Sequence, residues 1–84
     1  MKRYLVMTLR KATFDPAAIE PHYAYLDALR AKGRLELAGP FSDKSGGAYL
    51  LLADSLEDAR AIARTDPVHV TDSSEVVVYE WNAK

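Results

Sequence analysis

Eighty-four residues with a formal charge of −1 and no cysteine suit one domain with no disulfide or thiolate metal site to staple it. Mixed signs and the lack of a basic tract exclude the electrostatic footprint of a nucleic-acid or anionic-membrane binder, and no apolar run approaches the ~20 residues that cross a bilayer. A chain this short is marginal alone, so self-association is the expected remedy.

Arg3–Arg10 (RYLVMTLR) reads as a strand: Tyr4, Val6 and Thr8 point one way, Leu5, Met7 and Leu9 the other. Both faces are largely apolar, which suits a central strand. The apolar segment after Met1-Lys2-Arg3 is too short for a signal peptide, and a cytoplasmic location is expected. Asp15-Pro16 is a helix start, with Asp15 as N-cap and Pro16 in the first position. Pro21 would remove a backbone bond from a helix running through it. The spacing therefore predicts a short turn at Pro16–Ile19, then a main helix from about Glu20 or Pro21 to Lys32. At roughly 100° per residue, Ile19, His22, Leu26 and Leu29 share one side of that helix. His22 thus falls near the middle of an apolar stripe. Such a histidine is either a core residue satisfied by one partner or a working group beside a cavity.

Gly33 can take the left-handed conformation that closes this helix. Leu35 and Leu37 alternate with Glu36 and Ala38, the period of a half-buried strand. Pro40 lacks an N–H, so Gly39-Pro40 is predicted to break the strand, with Gly39 under steric constraint. Ser42–Gly47 is turn chemistry, and Ala48–Ala53 is a nearly unbroken apolar run, as in a strand covered on both faces. Ser55 is the N-cap of a second helix, with Asp58 at the capping-box position and Leu56, Ala59, Ile62 and Ala63 as its narrow stripe. Asp66-Pro67 is predicted to end that helix. Val68–Ser74 is a loop with room for one short turn, and Glu75–Trp81 (EVVVYEW) is a strand with Val77, Tyr79 and Trp81 on one face.

Strand, helix, strand, strand, helix, strand is the ferredoxin-like α+β order, βαββαβ with a four-stranded antiparallel sheet. Right-handed crossovers place both helices on one face of it. Three strands nevertheless carry apolar residues on both faces. Burying each large apolar side chain gains about 1.5–3 kcal/mol, and an open face of them is rare on a stable monomer. Face-to-face packing with a second copy, as a two-fold homodimer, is expected.

Taken together, these pieces resemble the YCII-related family of small dimeric α+β barrel proteins. The resemblance rests on His22 followed at helical distance by Gly33-Arg34-Leu35, then Ala38-Gly39-Pro40-Phe41, then Gly46-Gly47 leading into an aliphatic strand. Ser55-Leu56-Glu57-Asp58-Ala59 and Asp66-Pro67 complete it. Each piece is weak alone; their order and spacing are specific. They cover nearly the whole chain and imply a YCII-like domain over residues 1–84. Val68 stands where the family more often has an aromatic, and His69 lies outside its pattern. Both differences bear on pocket shape more than on the fold. The resemblance implies a His–Asp pair at His22 and Asp66. It also implies kinship with lyase or dehalogenase-type enzymes acting on hydroxylated aromatic compounds.

The residues make a physical case beside it. A histidine on the sheet-facing side of the first helix needs a partner, and Asp66 ends a helix on the same face. A carboxylate there would hold one imidazole N–H and leave the other nitrogen free as a base. Asp-Pro is also ordinary turn chemistry. Two readings follow. One is an acid/base enzyme acting on a small molecule without any cofactor, with His22 and Asp66 catalytic. The other is a non-catalytic ligand-binding or accessory domain in which His22 is a buried polar anchor. The two histidines and scattered carboxylates have no metal-site spacing. Gly46-Gly47 is no phosphate loop, because a strand and not a helix follows it. Ser42 and Ser45 lack a nucleophile elbow, His69 and Asp72 read as a solvated loop, and five tyrosines without a basic stripe suit core and interface positions better than base stacking.

Overall fold

A computed structural model describes residues Met1–Lys84. Strand β1 (Lys2–Arg10) leads through a 3-10 turn (Pro16–Ala18) into helix α1 (Ile19–Ala31). Strands β2 (Leu35–Pro40) and β3 (Gly46–Ala53), helices α2 (Leu56–Ala63) and α3 (Pro67–Val70) and strand β4 (Ser74–Glu80) follow. The sheet order is β2-β3-β1-β4 and every pairing is antiparallel. This is the expected ferredoxin-like α+β fold with a four-stranded antiparallel sheet. No helix is long and apolar enough to cross a membrane.

Local chemistry explains the joints. The Asp15 side chain accepts the Ala17 N–H at 2.9 Å and opens the 3-10 turn. Pro21 sits in the first turn of α1, where its missing N–H has no partner to lose. Gly33, at φ 71°, closes α1 in the left-handed region. The Ser55 hydroxyl accepts the Asp58 N–H at 3.0 Å to cap α2.

Three details depart from the sequence expectations. Gly39 and Pro40 do not break β2: they pair with Ala48 and Gly47, and β2 is an edge strand, where a proline is tolerated. Gly46 and Gly47 belong to β3 and not to the turn. The steric constraint falls on these two rather than on Gly39. A Cβ at Gly46 would lie 1.8 Å from the Thr8 carbonyl oxygen and one at Gly47 2.6 Å from that of Gly39, whereas a Cβ at Gly39 meets nothing within 4 Å. Finally, α2 stops at Ala63, and Asp66 is the N-cap of the separate short helix α3.

Tyr4, Val6, Leu26, Leu29, Leu35, Tyr49 and Leu51 form the core between the sheet and helices α1 and α2, with Ala53, Ala59 and Ala63 allowing close approach. The opposite sheet face carries cross-strand rows of apolar residues. Leu5 pairs with Leu50 and Tyr79, and Met7 with Ala48 and Val77. No element of the chain covers this face: Leu37, Tyr79 and Trp81 are 68%, 56% and 46% exposed.

Candidate active site

Helix α1 presents His22 toward the start of α3, where Asp66 is wholly buried. As N-cap, Asp66 accepts the Val68 N–H through Oδ1 at 3.1 Å. The same oxygen lies 2.7 Å from His22 Nδ1. Strand β3 sends Tyr49 inward, and its hydroxyl donates to Asp66 Oδ2 at 3.1 Å. Both carboxylate oxygens are thus held, which fixes the plane of the acceptor that orients the imidazole.

The network continues away from the histidine. The Tyr49 hydroxyl lies 3.1 Å from that of Tyr25, which lies 3.2 Å from the Ile62 carbonyl oxygen. With the Tyr49 O–H donated to Asp66, the single Tyr25 proton serves either the Tyr49 oxygen or the Ile62 carbonyl. Burial, reinforced by the negative charge of Asp66, pushes the Tyr25 phenol up to about 12. Burial, with the neighbouring Tyr25 hydroxyl and Asp66 carboxylate, pushes Tyr49 far above the ordinary phenol range. Both rings therefore remain neutral donors across physiological pH.

The raised Tyr25 value makes stability pH-dependent. An unfolded tyrosine releases its proton near 10, while the folded one holds it to about 12. The phenol's contribution is full below pH 10 and is lost as the pH climbs toward 12, because proton release then favours the unfolded chain. Urea unfolding at rising alkaline pH should show this decline, and Tyr25→Phe should make it shallower. An equal decline in the variant would remove Tyr25 as the cause.

His22 lines a cleft of about 180 Å³ between α1, the β2–β3 end of the sheet and α3. Its side chain is 16% exposed. Nε2 has no partner in the chain and is not sealed from solvent. The ring sits among three phenols, with centroids 5.8 Å from Tyr23, 6.3 Å from Tyr25 and 6.2 Å from Tyr49. Val68 lines the same cleft, where an aromatic side chain would fill more of it. Bare backbone at Gly46 and Gly47 forms part of the facing wall. No three His, Asp or Glu side chains converge as a metal ion needs.

The structure therefore brings together His22 and Asp66, the two residues singled out from the sequence. His69 and Asp72 stand apart from them: the Asp72 carboxylate pairs with Lys11 Nζ. Sequence reasoning missed the site roles of Tyr49 and Tyr25. The alternation of β3 places Tyr49 with Leu51 on the inner face, and a buried phenol needs a partner; that was the available signal.

A small ferredoxin-like protein with a buried-carboxylate-bound histidine beside a cleft is a candidate acid/base or small-ligand protein. The profile of the YCII-related domain matches residues 3–82, and the chain belongs to that family. It is 45% identical over 84 residues to the uncharacterised protein YjpA of Bacillus subtilis, covering 100% of this chain and 99% of that one. Its fold is similar to that of the 5-chloro-2-hydroxyhydroquinone dehydrochlorinase of Burkholderia phenoliruptrix, solved with 2,5-dihydroxybenzoquinone. The TM-score is 0.75 over 98% of this chain and 95% of the other, at 17% identity.

Proposed function

We propose that this YCII-family protein is a cofactor-independent acid/base enzyme of lyase or dehalogenase type, acting on a small hydroxylated aromatic or quinoid molecule. One observation carries the proposal: buried Asp66 holds Nδ1 of the cleft-lining His22 and leaves Nε2 without a partner in the chain. With its proton held on Nδ1 by Asp66, the neutral ring offers the Nε2 lone pair as a base. Nε2 takes a proton from carbon next to a carbonyl or enol. The C–H electron pair forms the new double bond, and the leaving group departs with its own pair. The net change is loss of HX, with no oxidant or reductant. Asp66 stabilises the imidazolium formed in between, as Tyr49 holds its other oxygen. The fold kinship with a dehydrochlorinase supports the reaction class; it does not choose the substrate.

We also propose that the 84 residues form a single domain and act as a homodimer. The apolar rows Leu5–Leu50–Tyr79 and Met7–Ala48–Val77, with Tyr79 56% exposed, are the reason for the dimer.

Halide release from chlorinated hydroquinones tests the function. His22→Asn should lower turnover by about 10²-fold or more, the usual worth of a positioned base, with the circular dichroism spectrum unchanged. Turnover that survives this substitution would remove His22 as the base.

A further inference from the structure

The charges that line the His22 cleft are unbalanced. Arg10, Arg30 and Asp27 are its charged side chains apart from His22 itself. Asp27 is already committed, 2.9 Å from Arg30 Nη1. Arg10, at the end of β1, takes part in none of the chain's ion pairs. Its guanidinium lies over the Phe14 ring, 4.2 Å from the centroid. Phe14 lines the cleft too, and the ring gives the planar cation a fixed seat without neutralising it. Arg10, an exposed residue, is thus the one cation lining the cleft that no carboxylate pairs.

We propose that the cleft takes its ligand as a planar organic anion, a conjugated carboxylate or an ionised enol, with the charged oxygens paired to the Arg10 guanidinium. The inference rests on this cleft being the substrate site, and it adds the charge class of the substrate. Gly46 and Gly47 give backbone to the wall of the cleft, against which a flat ring would lie. The two groups divide the chemistry. When His22 Nε2 removes the proton, the C–H electron pair forms the new double bond and the leaving group departs with its own pair, while Arg10 keeps the anionic oxygens paired and in place. A guanidinium suits this role because its donors match two oxygens at once and it stays charged at any working pH.

Matched ligand pairs test the proposal on the intact protein. Benzoate is compared with methyl benzoate, and hydroxybenzoquinone with its methyl ether, each titrated while the His22 ring resonances are followed by NMR. The expected result is binding of at least one anion in preference to its neutral partner, weakened about tenfold or more in Arg10→Met. The neutral partner should be indifferent to that variant, and Arg10→Lys should recover part of the loss. Arg60→Met, on α2 and outside this cleft, should change nothing. Preference for benzoate alone identifies carboxylates, and preference for the quinone alone identifies ionised enols; either supports the proposal. Neutral and anionic partners binding equally, or weakening equally in Arg10→Met, overturns it while leaving the cleft as a small-molecule site. Failure of all four compounds to move the His22 resonances overturns the substrate-site reading, and the anion proposal falls with it.

Discussion

Asp66→Ala should destabilise the protein by about 3–5 kcal/mol, the combined cost of buried donors losing their acceptor, a void and a lost helix cap. The carboxylate is 0% exposed and receives three partners: His22 Nδ1, the Val68 N–H and the Tyr49 hydroxyl. Truncation leaves the Val68 N–H buried without an acceptor, takes the acceptor from His22 Nδ1, turns the Tyr49 hydroxyl to Tyr25 and opens a void where the carboxylate stood. It also uncaps α3. Against a typical total stability of about 5–15 kcal/mol, that loss is severe. Asp66→Asn keeps the volume and one acceptor oxygen, so it should cost less, about 1–3 kcal/mol. Chemical denaturation of the three proteins checks the order. An alanine variant as stable as wild type would mean that the network contributes nothing to the fold.

Val77→Glu should dissociate the proposed dimer. Val77 lies on the uncovered sheet face, directly across from Met7, in the row that continues to Ala48. In a face-to-face dimer the new carboxylates would be buried in the interface, each without a partner. Removing such charges from water costs several kcal/mol per ion, enough to shift a micromolar dimer to monomer. Sedimentation at micromolar concentration should report twice the chain mass for wild type and the single mass for the variant, with lower stability. A wild-type protein that stays monomeric and soluble would contradict the dimer.

The order of strands and helices was legible because each element keeps its own period. The stripe Ile19–His22–Leu26–Leu29 marked the buried side of α1, and the alternation of β1 marked both sheet faces. The errors lie where a neighbouring strand decides the outcome. Gly46-Gly47 looks like a turn, yet it is the close approach of the Thr8 and Gly39 backbones that requires glycine there. Gly39-Pro40 looks like a break, yet an edge strand can end on proline. Asp66-Pro67 looked like the end of α2; it is the start of α3, because an Asp-Pro step caps a helix as well as it stops one.

The site was half legible for the same reason. His22 in an apolar stripe and an Asp-Pro step at the far end of a helix pair were visible in one dimension. The Tyr49–Asp66 bond joins β3 to the cap of α3, and the Arg10–Phe14 contact spans a connection without helix or strand. Neither spacing has a local signature. Both depend on how the sheet end and the helices come together.

The central claim is that Asp66 fixes the proton of neutral His22 on Nδ1 and leaves Nε2 as the working base. Nitrogen-15 NMR of the imidazole reads this directly in the unliganded protein. At mildly alkaline pH the account predicts that Nδ1 of His22 carries the proton and Nε2 shows the shift of a bare, pyridine-like nitrogen. In Asp66→Asn this tautomeric preference should weaken. A neutral His22 with its proton on Nε2 in the wild-type protein would contradict the account.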